Sequence, residues 1–435
     1  MEEQKVGYKS IVKQKEFMKL VIADVINRFG DSIDAIAFTW MVYLVTQSAA
    51  WSAIIFGINQ IPTIFLQPFA GAAIEGKNKK IIMIIMDIIR GICVGFIATT
   101  LMLGILNQWM LLIVTIIISS AEAFRRPAST AILPKLLDKS YYEYGLSLSS
   151  SICSMIGLLG MASAGFIIAK LSISAAIYID MATFFLSAII IITLKVNHEK
   201  KEKAQLAVKE YMEVLKGGFQ YLKENSVLRY FVILAVFLNA VLVPYNSLLA
   251  PMIKEVLHMG GGMLSILSIS LTVGMILGAV FYPMISKKLG GYGIAILGGY
   301  SVSVFYISFV LIGKFITSSL LTYFILAMIA VGEGIAISLF NSFVSIEFVK
   351  NTKEDYLART SAVLGAASVS ATPVISFAVS FLARFVSTVV LFMIAGLLNI
   401  LICIVLYNKK KLSAIIIEEP KGVQNEEVIG DSTTC

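Results

Sequence analysis

Charge is scarce in this chain. Only 14% of its 435 residues are Asp, Glu, Lys or Arg, and just two are histidine. A soluble protein carries about 25% charged residues, so a water-facing surface over the whole molecule is excluded. Cysteine is scarce too. Of the four, Cys93, Cys153 and Cys403 fall in apolar segments and Cys435 at the end of the chain. None has metal-ligand spacing and no two share an outer loop, so neither a metal site nor a disulfide framework is expected. His198 and His258 stand in loops far from any Ser or Cys nucleophile, and no phosphate-binding loop occurs. An enzyme and an ATP-driven pump are therefore both disfavoured, and no cofactor is expected. Met1 to Lys19 are charged and lack a cleavage site, so the first apolar run reads as a helix that stays.

Apolar residues are what the chain has in excess: 58%, with a mean hydropathy of +0.87, against roughly 45–50% in soluble proteins. The apolar runs reach the about 20 residues that a spanning helix needs and far exceed barrel strands of about 9–11. The expectation is an all-α integral membrane protein with twelve spanning helices, at 18–46, 50–74, 79–104, 108–134, 143–169, 172–195, 229–257, 262–286, 292–313, 318–347, 356–383 and 386–407. An even number of spans puts both termini on one side. Of the 35 Lys and Arg residues, 29 fall in segments on that side, Lys170, Lys254, Lys314 and Arg384 on the other, and Arg28 and Arg90 within helices. This is the positive-inside pattern. It predicts a multi-pass protein of the cell membrane with both termini cytoplasmic. The net charge of +8 then reflects topology and anionic lipid, with no nucleic-acid partner.

The second half of the chain repeats the layout of the first at an offset near 212. Glu143-Tyr144 maps onto Asp355-Tyr356, and the turn at Gly71 and Glu75 onto Pro283 and Lys287. Two six-helix bundles are expected, 1–195 and 229–407, joined by a cytoplasmic linker at 196–228 and followed by a cytoplasmic tail at 408–435. Val208, Tyr211, Met212, Leu215 and Phe219 give the linker the pattern of an amphipathic surface helix. Duplicated bundles with a seam between them are the usual body plan of a secondary transporter, and the seam is where substrate binds.

Charges inside the apolar segments are the candidate functional groups. Asp24, Arg28 and Asp31 share one stripe of the first helix, with Asp34 one further step along. A charge at mid-membrane costs at least about 2.5–3.5 kcal/mol, so these side chains should face the protein interior or water. Asp31 or Asp34 could take a proton or meet a cationic substrate; the plainer reading is that Arg28 neutralises Asp24 and Asp31. Asp87 and Arg90 read as a pair within one helix, and Asp180 as a structural residue. Glu122 has Arg125 and Arg126 close by. Glu333, in Val331-Gly332-Glu333-Gly334-Ile335, has no basic neighbour in sequence and is nearly equivalent to Glu122 under the repeat. A carboxylate that alternates between apolar and watery surroundings can carry a proton across. Asn59, Gln60 and Asn246 are polar on otherwise apolar helices, and Phe38, Trp40, Tyr43 and Phe56 could pad a greasy binding site.

The run from Gly71 through Glu75 to the basic pair Lys79-Lys80 resembles the signature loop of the major facilitator superfamily, with Glu75 for the usual Asp and Asn78 for the usual Gly. Gly30-Asp31-Ser32, the stretch Trp40 to Thr46, Asp87-Ile88-Ile89-Arg90, Arg126-Pro127-Ala128-Ser129 and Ile179 to Phe184 are similar to the proton-coupled drug-exporting branch that includes macrolide-efflux-type proteins. The resemblance covers about 20 to 407. It implies alternating access, and a conformational latch formed by Gly71, Glu75, Lys79 and Lys80 with Asp87 and Arg90. It implies too that Glu122 and Glu333 face the central cavity. The function expected is export of amphipathic, macrolide-like drugs by a monomer in exchange for protons. The alternatives are export of a siderophore, peptide or other natural product, or a membrane receptor that does not transport.

Overall fold

A computed structural model describes residues 8–74, 77–137, 141–196, 216–316 and 318–406. Its regular elements are helices: α1 Tyr8–Ile11, α2 Lys15–Thr46, α3 Ala49–Ala73, α4 Lys79–Met102, α5 Gln108–Ile132, α6 Tyr142–Lys170, α7 Ile173–Ile192, α8 at residues 216–224, α9 Ser226–Pro251, α10 Gly262–Phe315, α11 Ser319–Lys350, α12 Glu354–Leu382 and α13 Thr388–Leu406. Local chemistry sets several starts. Asn78, Asn107, Ser172 and Asn225 each accept a hydrogen bond from the first turn of the helix that follows, satisfying amides that have no partner inside the helix. The chain leaves α2 through Gln47 in the left-handed conformation, φ 47°, and re-enters α3 two residues later.

Ten of these helices are long and apolar enough to cross a membrane. The 32-residue α2 stands outside that set because it carries Asp24, Arg28, Asp31 and Asp34. The 54-residue α10 is broken at Gly290, whose φ of 65° and ψ of 173° are not helical. A straight helix of that length would span about 80 Å, far more than the about 30 Å of hydrocarbon. It doubles back instead: Gly278 before the break meets Ser338 of α11, and Gly298 after it meets Phe340. The expected ends at 286 and 292 bracket this break.

The repeat is visible in the element bounds. Shifted by 212 positions, Tyr142–Lys170 becomes the range of Glu354–Leu382, and Asn78, which caps α4, becomes Gly290. Helices α2–α7 pack mainly among themselves, as do α9–α13. The two halves approach closely where small residues allow it. A Cβ on Gly57 of α3 would stand 2.6 Å from Ser376 of α12, and one on Gly165 of α6 would stand 2.8 Å from Ser265 of α10. Both approaches lie toward the end of the molecule remote from the termini.

Helix α4 illustrates how sequence periodicity aims functional groups. Ile81, Ile85, Ile88, Ile92 and Phe96 form an exposed stripe at helical spacing, the face suited to lipid. Met83, Asp87, Arg90 and Val94 occupy the buried face, so both charges point into the protein. At the end near the termini, the last turn of α7 is stitched to its neighbours. Lys19 Nζ donates to the Thr193 carbonyl at 3.0 Å, Lys80 Nζ to the Leu194 carbonyl at 2.8 Å, and the Lys195 amide to Glu16 Oε2 at 2.7 Å. Cations there also suit the negative end of the helix dipole.

Of the linker expected at 196–228, residues 216–224 are the short helix α8, on which Tyr221 stacks against Tyr356 with ring centroids 4.3 Å apart. Val208, Tyr211, Met212, Leu215 and the tail at 408–435 lie outside the described residues.

Candidate functional site

The charges on α2 are matched by helices other than α2. Arg125 of α5 donates through Nη2 to Asp24 at 2.9 Å and through Nε to Asp87 of α4 at 2.6 Å. Asp87, fully buried, also accepts from Ser187 of α7 at 2.8 Å, and the Asn27 amide lies among Asp87, Arg125 and Ser187. Four helices thus meet on one carboxylate. An unpaired charge there would cost several kcal/mol.

One turn further along, Arg90 of α4 donates through Nη2 to Asp31 at 2.7 Å and has Glu122 of α5 at 4.0 Å. Its guanidinium carbon lies 4.1 Å from the centre of the Phe184 ring, a cation–π contact that adds to the pair. Glu122 accepts from Arg126 Nε at 2.7 Å. The expected partnerships therefore change. Arg28 does not bridge Asp24 and Asp31; it packs over Gly157 of α6. Asp87 and Arg90 do not pair within α4, because each reaches a separate neighbouring helix. Of the two basic neighbours that the sequence offers Glu122, Arg126 is the one that pairs with it, while Arg125 turns to Asp24 and Asp87. Arg125, counted from sequence among the basic residues on the terminal side, is instead buried at the centre of the network. The available signal was that Asp24 and Asp87 both needed a cation.

Asp31, Asp34, Arg90, Glu122 and Arg126 line one side of a cavity of about 330 Å³. Phe38, Val42, Ile55 and Phe56 give it apolar walls, and Asn59, Gln60 and Asn246 add neutral polar groups. Asp34 differs from the other acids: no hydrogen bond or ion pair reaches it among the described residues. Asp180 of α7 comes in close behind it. A Cβ on Gly30, one turn before Asp34, would stand 2.4 Å from Asp180 Oδ1, so only glycine admits this carboxylate against α2. Asp24, Asp31, Asp34, Asp87, Glu122 and Asp180 are set against Arg28, Arg90, Arg125 and Arg126. Six acids against four bases leave room for added positive charge.

The other candidates lie elsewhere. Glu333 is buried in the second half of the chain, with Oε1 unpartnered among the described residues and Tyr245 and Tyr306 nearby. It does not line the cavity, so Glu122 and Glu333 do not face one another there. Among the described residues, helix α11 contributes none of the lining, whereas α3 and Arg90 of α4 do. Of the latch residues, Glu75 lies outside the described residues, Gly71 lies in the last turn of α3, Lys79 opens α4, and Lys80 caps α7 as above. Trp40 and Tyr43 are buried beyond the cavity at the end remote from the termini.

A solute-sized cavity with charged groups and apolar walls, set among apolar, membrane-length helices, fits a protein that passes solutes across a membrane. The chain belongs to the Major Facilitator Superfamily, whose family model matches residues 20–368. Among curated relatives, it is 24% identical over 304 residues to the Staphyloferrin A transporter of Staphylococcus aureus, covering 66% of this chain and 74% of that one. It is 21% identical over 238 residues to the multidrug efflux pump Tap of Mycobacterium tuberculosis, covering 53% and 57%, and 20% identical over 284 residues to the MFS-type transporter YvqJ of Bacillus subtilis, covering 65% and 67%. Some matches span only about half of the relative's length, as with the 51% of YfiS of Bacillus subtilis. Among solved structures, the nucleoside transporter NupG superposes with a TM-score of 0.70 at 13% identity, over 93% of this chain and 100% of that one. A bacterial homologue of ferroportin in an inward-facing state gives 0.65 at 14% identity, over 91% and 99%. These structural likenesses speak for the fold alone.

Proposed function

We propose that this protein exports compact amphipathic molecules from the cell in exchange for protons, by alternating access between two six-helix bundles. Counting α2 as a span and the two arms of α10 separately brings the ten apolar helices to twelve, with both termini cytoplasmic by the positive-inside pattern. The protein acts as a monomer in the cell membrane. The halves are in close contact at the end remote from the termini, so the conformer is read as open to the cytoplasm.

Asp34 carries the reading. It is a cavity carboxylate without an arginine partner, beside the apolar walls of Phe38 and Phe56. Those features suit a molecule with a cationic head and an apolar body, and they suit a proton when the molecule is absent. Asp31 and Glu122, each held by arginine, position the cavity rather than empty it of charge. Glu333 is a second proton-site candidate, in the other half. The latch formed by Gly71, Glu75, Lys79 and Lys80 with Asp87 and Arg90 remains part of the proposal. A cavity of about 330 Å³ lies at the small end of the roughly 300–1,000 Å³ usual for ligand sites. A macrolide would need the cavity to widen, so smaller drugs are the better first substrates. The open cavity also disfavours a non-transporting receptor.

A second reading, export of a siderophore, draws on Arg28, Arg90 and Arg126 in the lining, which would suit an acidic ligand. Expression in an efflux-deficient bacterium separates the two. Accumulation of cationic and anionic compounds is measured with and without an uncoupler. Uncoupler-sensitive exclusion of the cationic set supports drug export, and exclusion of the anionic set alone supports the second reading.

A further inference from the structure

At the end remote from the termini, Tyr43 of α2 donates its hydroxyl to Glu255 Oε1 at 2.6 Å. Thr388, at the start of α13, donates to the other oxygen, Oε2, also at 2.6 Å. Glu255 lies in the π-helical turn Met252–Val256 that follows Pro251. Here the second half departs from the plain α-helix that the first half keeps at Tyr43. Such one-turn bulges recur at functional positions. Trp40, one turn before Tyr43, packs on the Gly261 backbone, where a Cβ would stand 3.1 Å from its indole ring.

The two bonded residues are 212 positions apart, the same offset that carries Tyr142–Lys170 onto Glu354–Leu382. Tyr43 and Glu255 are thus equivalents under the internal repeat. Under a two-fold relation, a position and its equivalent can touch only beside the axis, because their separation is twice their distance from it. We infer that Tyr43 and Glu255 form the outer gate of the transport path, a bond on the pseudo-two-fold axis that holds the two halves shut on the side remote from the termini. The inference rests on the alternating-access reading above but on no choice of substrate. The carboxylate receives one hydroxyl from each half, so opening that side must break the Tyr43 bond and can leave the Thr388 bond intact. Thr388 holds Glu255 in place within its own half, and Tyr43 is the contact that is made and lost. The cavity lies directly inward of this bond, since Val42 and Thr39 of the same stretch line it.

The test is the distance between spin labels at Leu171→Cys and Phe385→Cys, two exposed positions (68% and 72%) at that end, one in each half. The four native cysteines are first replaced, and no transported compound is present, so a wrong substrate assignment leaves the measurement readable. The parent is expected to show mainly a short distance. Tyr43→Phe, which removes only the hydroxyl, should lower the ratio of short to long populations roughly tenfold, the weight of one charge-assisted hydrogen bond. Exchanging the pair, Tyr43→Glu with Glu255→Tyr, should recover much of the short population, because positions on an axis are interchangeable. Recovery should be incomplete: the position equivalent to Thr388 is Ala176, which has no hydroxyl. A Tyr43→Phe distribution identical to the parent's overturns the gate. An exchanged pair as open as Glu255→Ala overturns the axial placement.

Discussion

Arg90 holds Asp31 at 2.7 Å while Glu122 waits at 4.0 Å on the same guanidinium. One cation from α4 therefore ties α2 to α5 at the edge of the cavity, with its face over Phe184. A shift of α4 by an ångström or so would change which acid it serves. The pair also differs from its neighbour deeper in the protein, since the Asp31 side chain is 32% exposed and that of Asp87 is not exposed at all.

That difference sets the first prediction. Asp87→Ala leaves Arg125 short of a buried partner and should cost about 3–5 kcal/mol, seen as a large fall in melting temperature in detergent. Asp31→Asn keeps an acceptor for Arg90 and is partly solvated, so its cost should be well under half of that. Equal losses in the two variants would contradict the assignment of Asp87 as the structural centre.

The glycines either side of Glu333 should behave oppositely. A Cβ on Gly334 would stand 2.1 Å from the Leu271 carbonyl oxygen of α10, whereas one on Gly332 meets nothing within 4 Å. Backbone cannot yield as a side chain can, so Gly334→Ala should force α10 and α11 apart and cost at least about 1–3 kcal/mol. Gly332→Ala should leave folded yield and melting temperature at the parent's level.

The stitch at the end near the termini predicts a pH dependence. The Lys19 ammonium, followed by the Lys195 amide, holds the Glu16 carboxyl below its ordinary range. A lowered folded-state value means the contribution to stability is present at neutral pH and is lost as pH falls through that value. Glu16→Gln should melt slightly below the parent at pH 7, and the two should converge in acid below the usual carboxylate range. A difference that widened in acid would carry the wrong sign.

Glu333→Gln separates the two proton-site candidates. If Glu333 carries an exchanged proton, the variant loses uphill efflux and keeps downhill movement of the same compound. Normal proton-driven efflux by Glu333→Gln assigns it to packing among Tyr245 and Tyr306 and leaves Asp34 alone.

Much of the architecture was legible in the sequence because lipid imposes long apolar runs and turns interrupt them. The break in α10 could be placed between 286 and 292 although Gly290 keeps the chain nearly continuous there. Charge pairing was less legible. Helical spacing offers Arg28 to Asp24 and Asp31, and Arg90 to Asp87, yet the fold sends Arg125 to α2 and α4 and Arg90 to Asp31. A pattern along one helix says which face a group occupies, and only the packing of four helices says whom it meets. Glu255 drew no notice because it sits at a helix end among Lys254 and His258, and its meaning lies in a spacing of 212 residues rather than in any local motif.

Coupling of transport to protons is assigned to Asp34. Its most direct test reconstitutes the protein into liposomes with a cationic amphipathic dye and imposes a pH gradient, comparing the parent with Asp34→Asn. The parent is expected to concentrate the dye against its gradient, and Asp34→Asn to fail to do so while folding and melting as the parent does. Gradient-driven concentration by Asp34→Asn at the parent's rate would contradict it.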